Sequence, residues 1–124
     1  MQASMVGVVS ALITANTPYV FVIACDMPFV SVEAIRYMVD EVHGEDVVLP
    51  RTKAGYEPLH AIYSRSCIST MLTLIERRRL KLTGVFPFLS VREVQDHPSF
   101  LHKGLSIFTN ITVEEDLALV QRLG

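Results

Sequence analysis

The first 35 residues of this 124-residue chain contain no lysine, arginine or histidine. With no basic region ahead of the apolar stretch 5–15, and no convincing small-residue cleavage site after it, a secretory signal is not expected. Cysteine is scarce too. Cys25 and Cys67 stand far apart and form no CxxC pair, which predicts reduced thiols in a reducing, cytoplasmic compartment. Cys25 sits in an apolar run and reads as a small buried hydrophobe. No apolar run approaches the roughly 20 residues needed to cross a bilayer, so a soluble chain with no membrane partner is expected. The formal net charge of −2 and a pI near 6.0 provide no basic field for nucleic acid. There is no internal repeat, low-complexity tract or linker, so residues 1–124 read as one domain. His60, His97 and His102 share no metal-ligand spacing, and no Ser/His/Asp or Cys/His order suggests a catalytic nucleophile.

Apolar residues, by contrast, are abundant. They make up 50% of the chain, and mean hydropathy is +0.36. That excess predicts strands covered on both faces, or a surface that meets another piece of protein. Residues 5–15 read as a helix buried nearly all round, ended by Asn16-Thr17-Pro18. The β-branched and aromatic run from Tyr19 to Cys25 does not alternate, which predicts a central strand. Ser31 is placed to cap a helix with Ile35, Met38, Val39 and Val42 on one stripe, closed by His43-Gly44. Short strands are expected at 47–49 and 60–64, with a turn between them at 51–55. A second amphipathic helix should carry Ile68, Met71, Leu72 and Ile75 on one face. Residues 82–88 are ambiguous, strands are expected at 91–94 and 105–108, and Thr112 to Glu115 fits a capping box ahead of a last helix. Met5, Met27, Met38 and Met71 read as core filler. Strands alternating with helices predict a mostly parallel sheet, with ligands bound outside the strands' carboxyl ends.

That rule directs attention to Asp26-Met27-Pro28, directly after the apolar strand. Pro28 has no N–H for the ladder and stops the sheet. Asp26 is thereby presented at the strand's end without a cation nearby in sequence. Such a carboxylate either caps a loop by accepting backbone N–H groups or binds a hard cation such as Mg²⁺.

Several segments in order carry a family resemblance. Ile23-Ala24-Cys25-Asp26-Met27-Pro28-Phe29 resembles the strand-end motif of the molybdenum-cofactor guanylyltransferases. Glu57-Pro58-Leu59-His60-Ala61-Ile62-Tyr63 is similar to the family's (Q/E)-P-L-x-A-x-Y stretch. Asn110 to Leu117 resembles its terminal N-I-N-T-P-E-D-L, with Thr112 where a second Asn is typical and Glu114 in place of Pro. Residues 5–12 are similar to the helix before the strand, Gly7 matching one glycine of a G-P-L-x-G segment.

The resemblance implies a Rossmann-like, three-layer α/β nucleotidyltransferase. The implied reaction is attack of a molybdopterin phosphate on the α-phosphate of GTP, with pyrophosphate as leaving group. It implies Mg²⁺ on Asp26 and a catalytic role for Asp26 and Asn110, the latter near metal and phosphates. Gly7, Pro28, Glu57, Pro58, Leu59 and Thr112 are implied to lie along the substrates. Arg78 and Lys81, in a cluster with Arg77 and Arg79, either meet the cofactor's phosphate or pterin side or form a solvated helix end. The family's opening loop, L-A-G-G-x-S-x-R-M-G-x-x-K, cradles the triphosphate with backbone N–H groups. It has no counterpart here, nor has the upstream acidic residue that reads the base. Expected consequences are an exposed apolar sheet edge and a function completed by a second chain or a homo-oligomer. Other readings are a cytidylyltransferase for the same cofactor, a non-catalytic remnant or adaptor, and, more remotely, a phosphoacceptor at Asp26.

Overall fold

The computed structural model describes residues 5–24, 31–52, 55–95, 97–102 and 105–106. Helix α1 spans Met5–Ala15. It ends where Asn16 takes the left-handed conformation at φ 54°, two residues before Pro18. Met5, Val8, Val9 and Leu12 form its buried stripe, each position worth about 1.5–3 kcal/mol. Burial nearly all round does not hold, because Val6 and Ile13 on the other face are about half exposed.

Strand β1 (Tyr19–Ile23) is half-buried along its whole length and stands at one end of the order β1-β4-β2 among the described strands, rather than in the centre. Helix α2 (Val32–Asp40) begins where the Ser31 hydroxyl accepts the Ala34 N–H at 3.1 Å, as its sequence predicts. Its buried residues are Ala34 and Met38, whereas Val39 turns outward. Strand β2 (Val47–Thr52) outruns its expected end and returns through β3 (Gly55–Tyr56) into β4 (His60–Ser64), whose five residues are all buried. Helix α3 (Cys67–Glu76) buries Cys67, Met71 and Leu74 and leaves Leu72 outside. A 3₁₀ segment, Leu82–Phe88, then leads to β5 (Val91–Val94), followed by a 3₁₀ turn at Pro98–Phe100 and the short pair β6 (Leu101–His102) and β7 (Leu105–Ser106). The last predicted helix and Phe108 lie outside the described residues.

The sheet is mixed, which corrects the expectation of a mostly parallel one. Strand β4 runs antiparallel to both β1 and β2, and only β5 lies parallel to its partner, β2. The physical reason is the short connection from β2 to β4, which allows a hairpin-like return but no helical crossover. Even so, β1, β2 and β5 share one direction and end on one edge. Alternation along β2 divides the core. Val47 and Leu49 join α1, α3 and the 3₁₀ segment on one face, while Val48 joins Ala34, Met38 and Phe100 on the other. Helices therefore cover both faces.

Candidate functional site

The shared strand edge gets its shape from a change of register in the β2–β4 return. Arg51 pairs with Tyr56 and Thr52 with Gly55, so the same register would set Val48 opposite Leu59. Its observed partner is Ile62, three residues further on. The surplus, Glu57-Pro58-Leu59, leaves the ladder there, where a proline without an N–H costs no strand hydrogen bond.

Each carbonyl of this excursion is occupied. Glu57 accepts the His60 N–H at 3.1 Å, Pro58 accepts the Tyr63 hydroxyl at 2.6 Å, and Leu59 accepts the Ala24 N–H at 2.8 Å. The Glu57 N–H in turn donates to Pro50 at 3.0 Å. The Ala24 bond matters most, because it ties the end of β1, two residues before Asp26, to the Glu57–Leu59 segment. Two segments more than 30 residues apart in sequence thus meet at one edge.

Burial alone pushes the half-buried Glu57 carboxyl up to about 7, and no cation among the described residues offsets it. Beneath it, His60 is wholly buried, with its ring edge-on to Phe21 at 5.0 Å and to Phe100 at 6.4 Å. Burial lowers its pKa and keeps the imidazole neutral. Desolvation likewise raises the Tyr63 hydroxyl, which stays protonated and serves as a donor. Sequence reading passed over Tyr63 as a site-shaping residue, although its spacing of five from Pro58 was in view.

The basic cluster reaches the same end of the molecule. Three residues join α1 to β1, so α1 folds back along the sheet and its first turn points toward the edge where β1 ends. The Met5 N–H donates to the Leu80 carbonyl at 3.4 Å, which brings the segment around Arg78 and Lys81 to that turn. Arg78 adopts φ 59°, and both cations are exposed. Gly7 lies on the exposed side of α1, where an added Cβ would meet nothing within 4 Å. No neighbour among the described residues requires glycine there. Asp26, Pro28, Asn110 and Thr112 lie outside the described residues.

Comparison with known proteins bears directly on this arrangement. Residues 2–89, which include Ala24, Asp26 and the Glu57–Leu59 excursion, match the model of the MobA-like NTP transferase domain. The chain belongs to that family. A molybdenum cofactor guanylyltransferase of Desulfosudis oleivorans is 32% identical over 118 residues, covering 94% of this chain and 58% of that protein. A probable molybdenum cofactor guanylyltransferase of Methanosarcina acetivorans is 34% identical over 119 residues, covering 90% and 51%. Among solved structures, molybdopterin-guanine dinucleotide biosynthesis protein A of Archaeoglobus fulgidus superposes with a TM-score of 0.80 at 27% identity, covering 97% of this chain and 62% of that one. The chain thus spans little more than half the length of the curated relatives it matches. The family is one of nucleotidyltransferases, and its α/β fold with a mixed sheet is the one found here. No helix among the described residues is long and apolar enough to cross a membrane.

Proposed function

We propose that this chain supplies the cofactor-side half of a molybdenum-cofactor guanylyltransferase, as one domain over residues 1–124 acting in the cytoplasm. The observation that carries this reading is the 2.8 Å bond from Ala24 to Leu59, which joins the two motif segments at the edge where β1, β2 and β5 end. Asp26 follows Ala24 by two residues, so chain connectivity alone keeps their Cα atoms within about 7 Å. Helices on both sheet faces support the three-layer arrangement expected of a Rossmann-like nucleotide binder.

In this reading the molybdopterin phosphate oxygen forms a bond to the α-phosphorus of GTP, the α–β bridge breaks, and pyrophosphate leaves with the electron pair. Positioning and charge are what the protein must provide. Asp26 is the metal ligand. Glu57 suits a second oxygen donor, since a half-buried carboxyl with no cationic neighbour among the described residues gains from a hard cation. A bound Mg²⁺ supplies neutralisation of phosphate charge. Asn110 and Thr112 orient phosphate oxygens, Gly7, Pro28, Pro58 and Leu59 shape the substrate channel, and Arg78 and Lys81 meet the cofactor's phosphate. A phosphate-cradling loop is absent from these 124 residues, so a complementing segment, a second chain or a homo-oligomeric partner completes GTP binding.

Calorimetric titration with GTP and Mg²⁺, on the chain joined by its complementing segment and on Asp26→Ala in the same assembly, tests the proposal. Binding that disappears in the variant supports it, and equal affinity removes Asp26 from the site. Replacing GTP by CTP separates guanylyl from cytidylyl transfer. A second reading, a non-catalytic adaptor, rests on the exposed Val6 and Ile13 of α1, and a Mg²⁺-independent complex with a complementing chain would favour it.

A further inference from the structure

Alternation along β2 sets Leu49 and Arg51 on one face of the sheet, the face that α3 covers. Glu93 is the strand partner of Leu49 and Tyr56 that of Arg51, so all four side chains share that face. A cleft of about 460 Å³ opens there between the 3₁₀ segment and strands β2, β3 and β5. Its volume falls in the usual range for small-ligand sites, about 300–1,000 Å³. Leu49 has no solvent exposure yet lines the cleft, so it forms the bottom, together with the half-buried Leu89 and Val91. Tyr56 and Phe86 meet edge to face with ring centres 6.1 Å apart, and so form one continuous aromatic wall. The one charged residue of the lining is Glu93, which is exposed.

Glu93 does not stand alone. Arg51 reaches it at 3.3 Å and lies over the Tyr56 ring at 5.4 Å, so a guanidinium and a carboxylate sit side by side at the rim of an apolar space. Their contact engages one guanidinium N–H group and one carboxylate oxygen, which leaves most of the donors and the second oxygen to a ligand. An exposed pair of this kind is weak and opens readily. The rim nevertheless restricts what can enter. An apolar acid would set its carboxylate beside Glu93, and an apolar amine would set its cation beside Arg51, each a repulsion between like charges at close range. A molecule with an ammonium and a carboxylate on the same carbon gives both rim charges an opposite partner. It replaces one weak contact with two charge-assisted ones, while its apolar part fills the space below.

We propose that this cleft binds an α-amino acid with an apolar side chain. The carboxylate accepts from Arg51, the ammonium donates to Glu93, and the side chain rests on Leu49, Leu89 and Val91 against the aromatic wall. The site is separate from the nucleotidyl transfer proposed above, and neither reading depends on the other.

The test is calorimetric titration of the full chain with L-phenylalanine. Saturable binding is expected, about tenfold or more tighter than that of hydrocinnamate or phenethylamine, which keep the ring and only one of the charges. Glycine, which keeps both charges and has no apolar part, should bind far more weakly. Arg51→Gln and Glu93→Gln should each weaken L-phenylalanine binding about tenfold. Both side chains are exposed enough for the fold to persist, and thermal melts of the two variants check that it does. Equal affinity for glycine or for either single-charge analogue overturns the proposal. So does an unchanged affinity in either variant, or no binding up to the solubility limit of the amino acid.

Discussion

The Tyr63 hydroxyl donates to the Pro58 carbonyl across 2.6 Å, from a side chain with no solvent exposure to a peptide at the strand edge. The bond links the core directly to the excursion that shapes the candidate site. Tyr63→Phe keeps the ring's packing and removes only this donor. It should cost about 0.5–1.5 kcal/mol in a urea melt with an unchanged slope. A loss above about 3 kcal/mol would show that the ring had shifted as well.

Glu57 should make the protein less stable as pH rises. Its carboxyl sits at about 7 in the fold against an ordinary 4.5, because burial disfavours the charged form. The folded state therefore holds the proton more tightly than the unfolded one. The associated stability is present in full below about 4.5 and is lost as pH climbs through 7. Allowing for solvent screening of a half-buried group, the change should be about 1–2 kcal/mol. Glu57→Gln should flatten that slope and be the more stable protein at pH 8, as read by thermal melts across the range.

Asp46 predicts the opposite dependence. One of its oxygens accepts the Ser66 hydroxyl and the other the Ser90 N–H at 2.9 Å, which joins the start of β2 to the start of α3 and the approach to β5. The Ser66 bond, followed by Ser90, lowers its pKa below the usual 3.8. Its contribution is thus present above that value and lost as pH falls through the folded pKa. Asp46→Ala should cost about 1–2 kcal/mol at pH 7 and nothing further in acid.

Two apolar positions should respond in contrasting ways. Met71 is wholly buried among α1, α3 and the sheet, and Met71→Ala should cost about 2–5 kcal/mol through the cavity it leaves. Ile13, at 52% exposure, faces outward, and Ile13→Lys should change stability by no more than about 0.5 kcal/mol. A large loss at Ile13 in the assembled protein, but not in the isolated chain, would identify that face as covered by a partner.

Local signals were legible in the residues wherever one element's own chemistry decided the outcome. Ser31 caps α2, 60–64 forms a strand, and Met5, Met38 and Met71 fill the core as expected, while the full burial of that strand, His60 included, was not foreseen. The helix faces were read less well: Val39 and Leu72 matched the apolar spacing yet point outward. Periodicity says which residues share a stripe, whereas the stripe that is buried depends on where a neighbour lies.

By itself the sequence determined the family and the types of the longer helices and strands, since these depend on residue identity and short spacing. Tertiary structure alone decided that β4 runs against its neighbours, that the Glu57–Leu59 excursion bonds to Ala24, and that Tyr56, Phe86 and Glu93 line one cleft. Those relations join residues tens of positions apart, and strand direction and register, which create them, are set by the packing of the whole sheet and not by any local run of side chains.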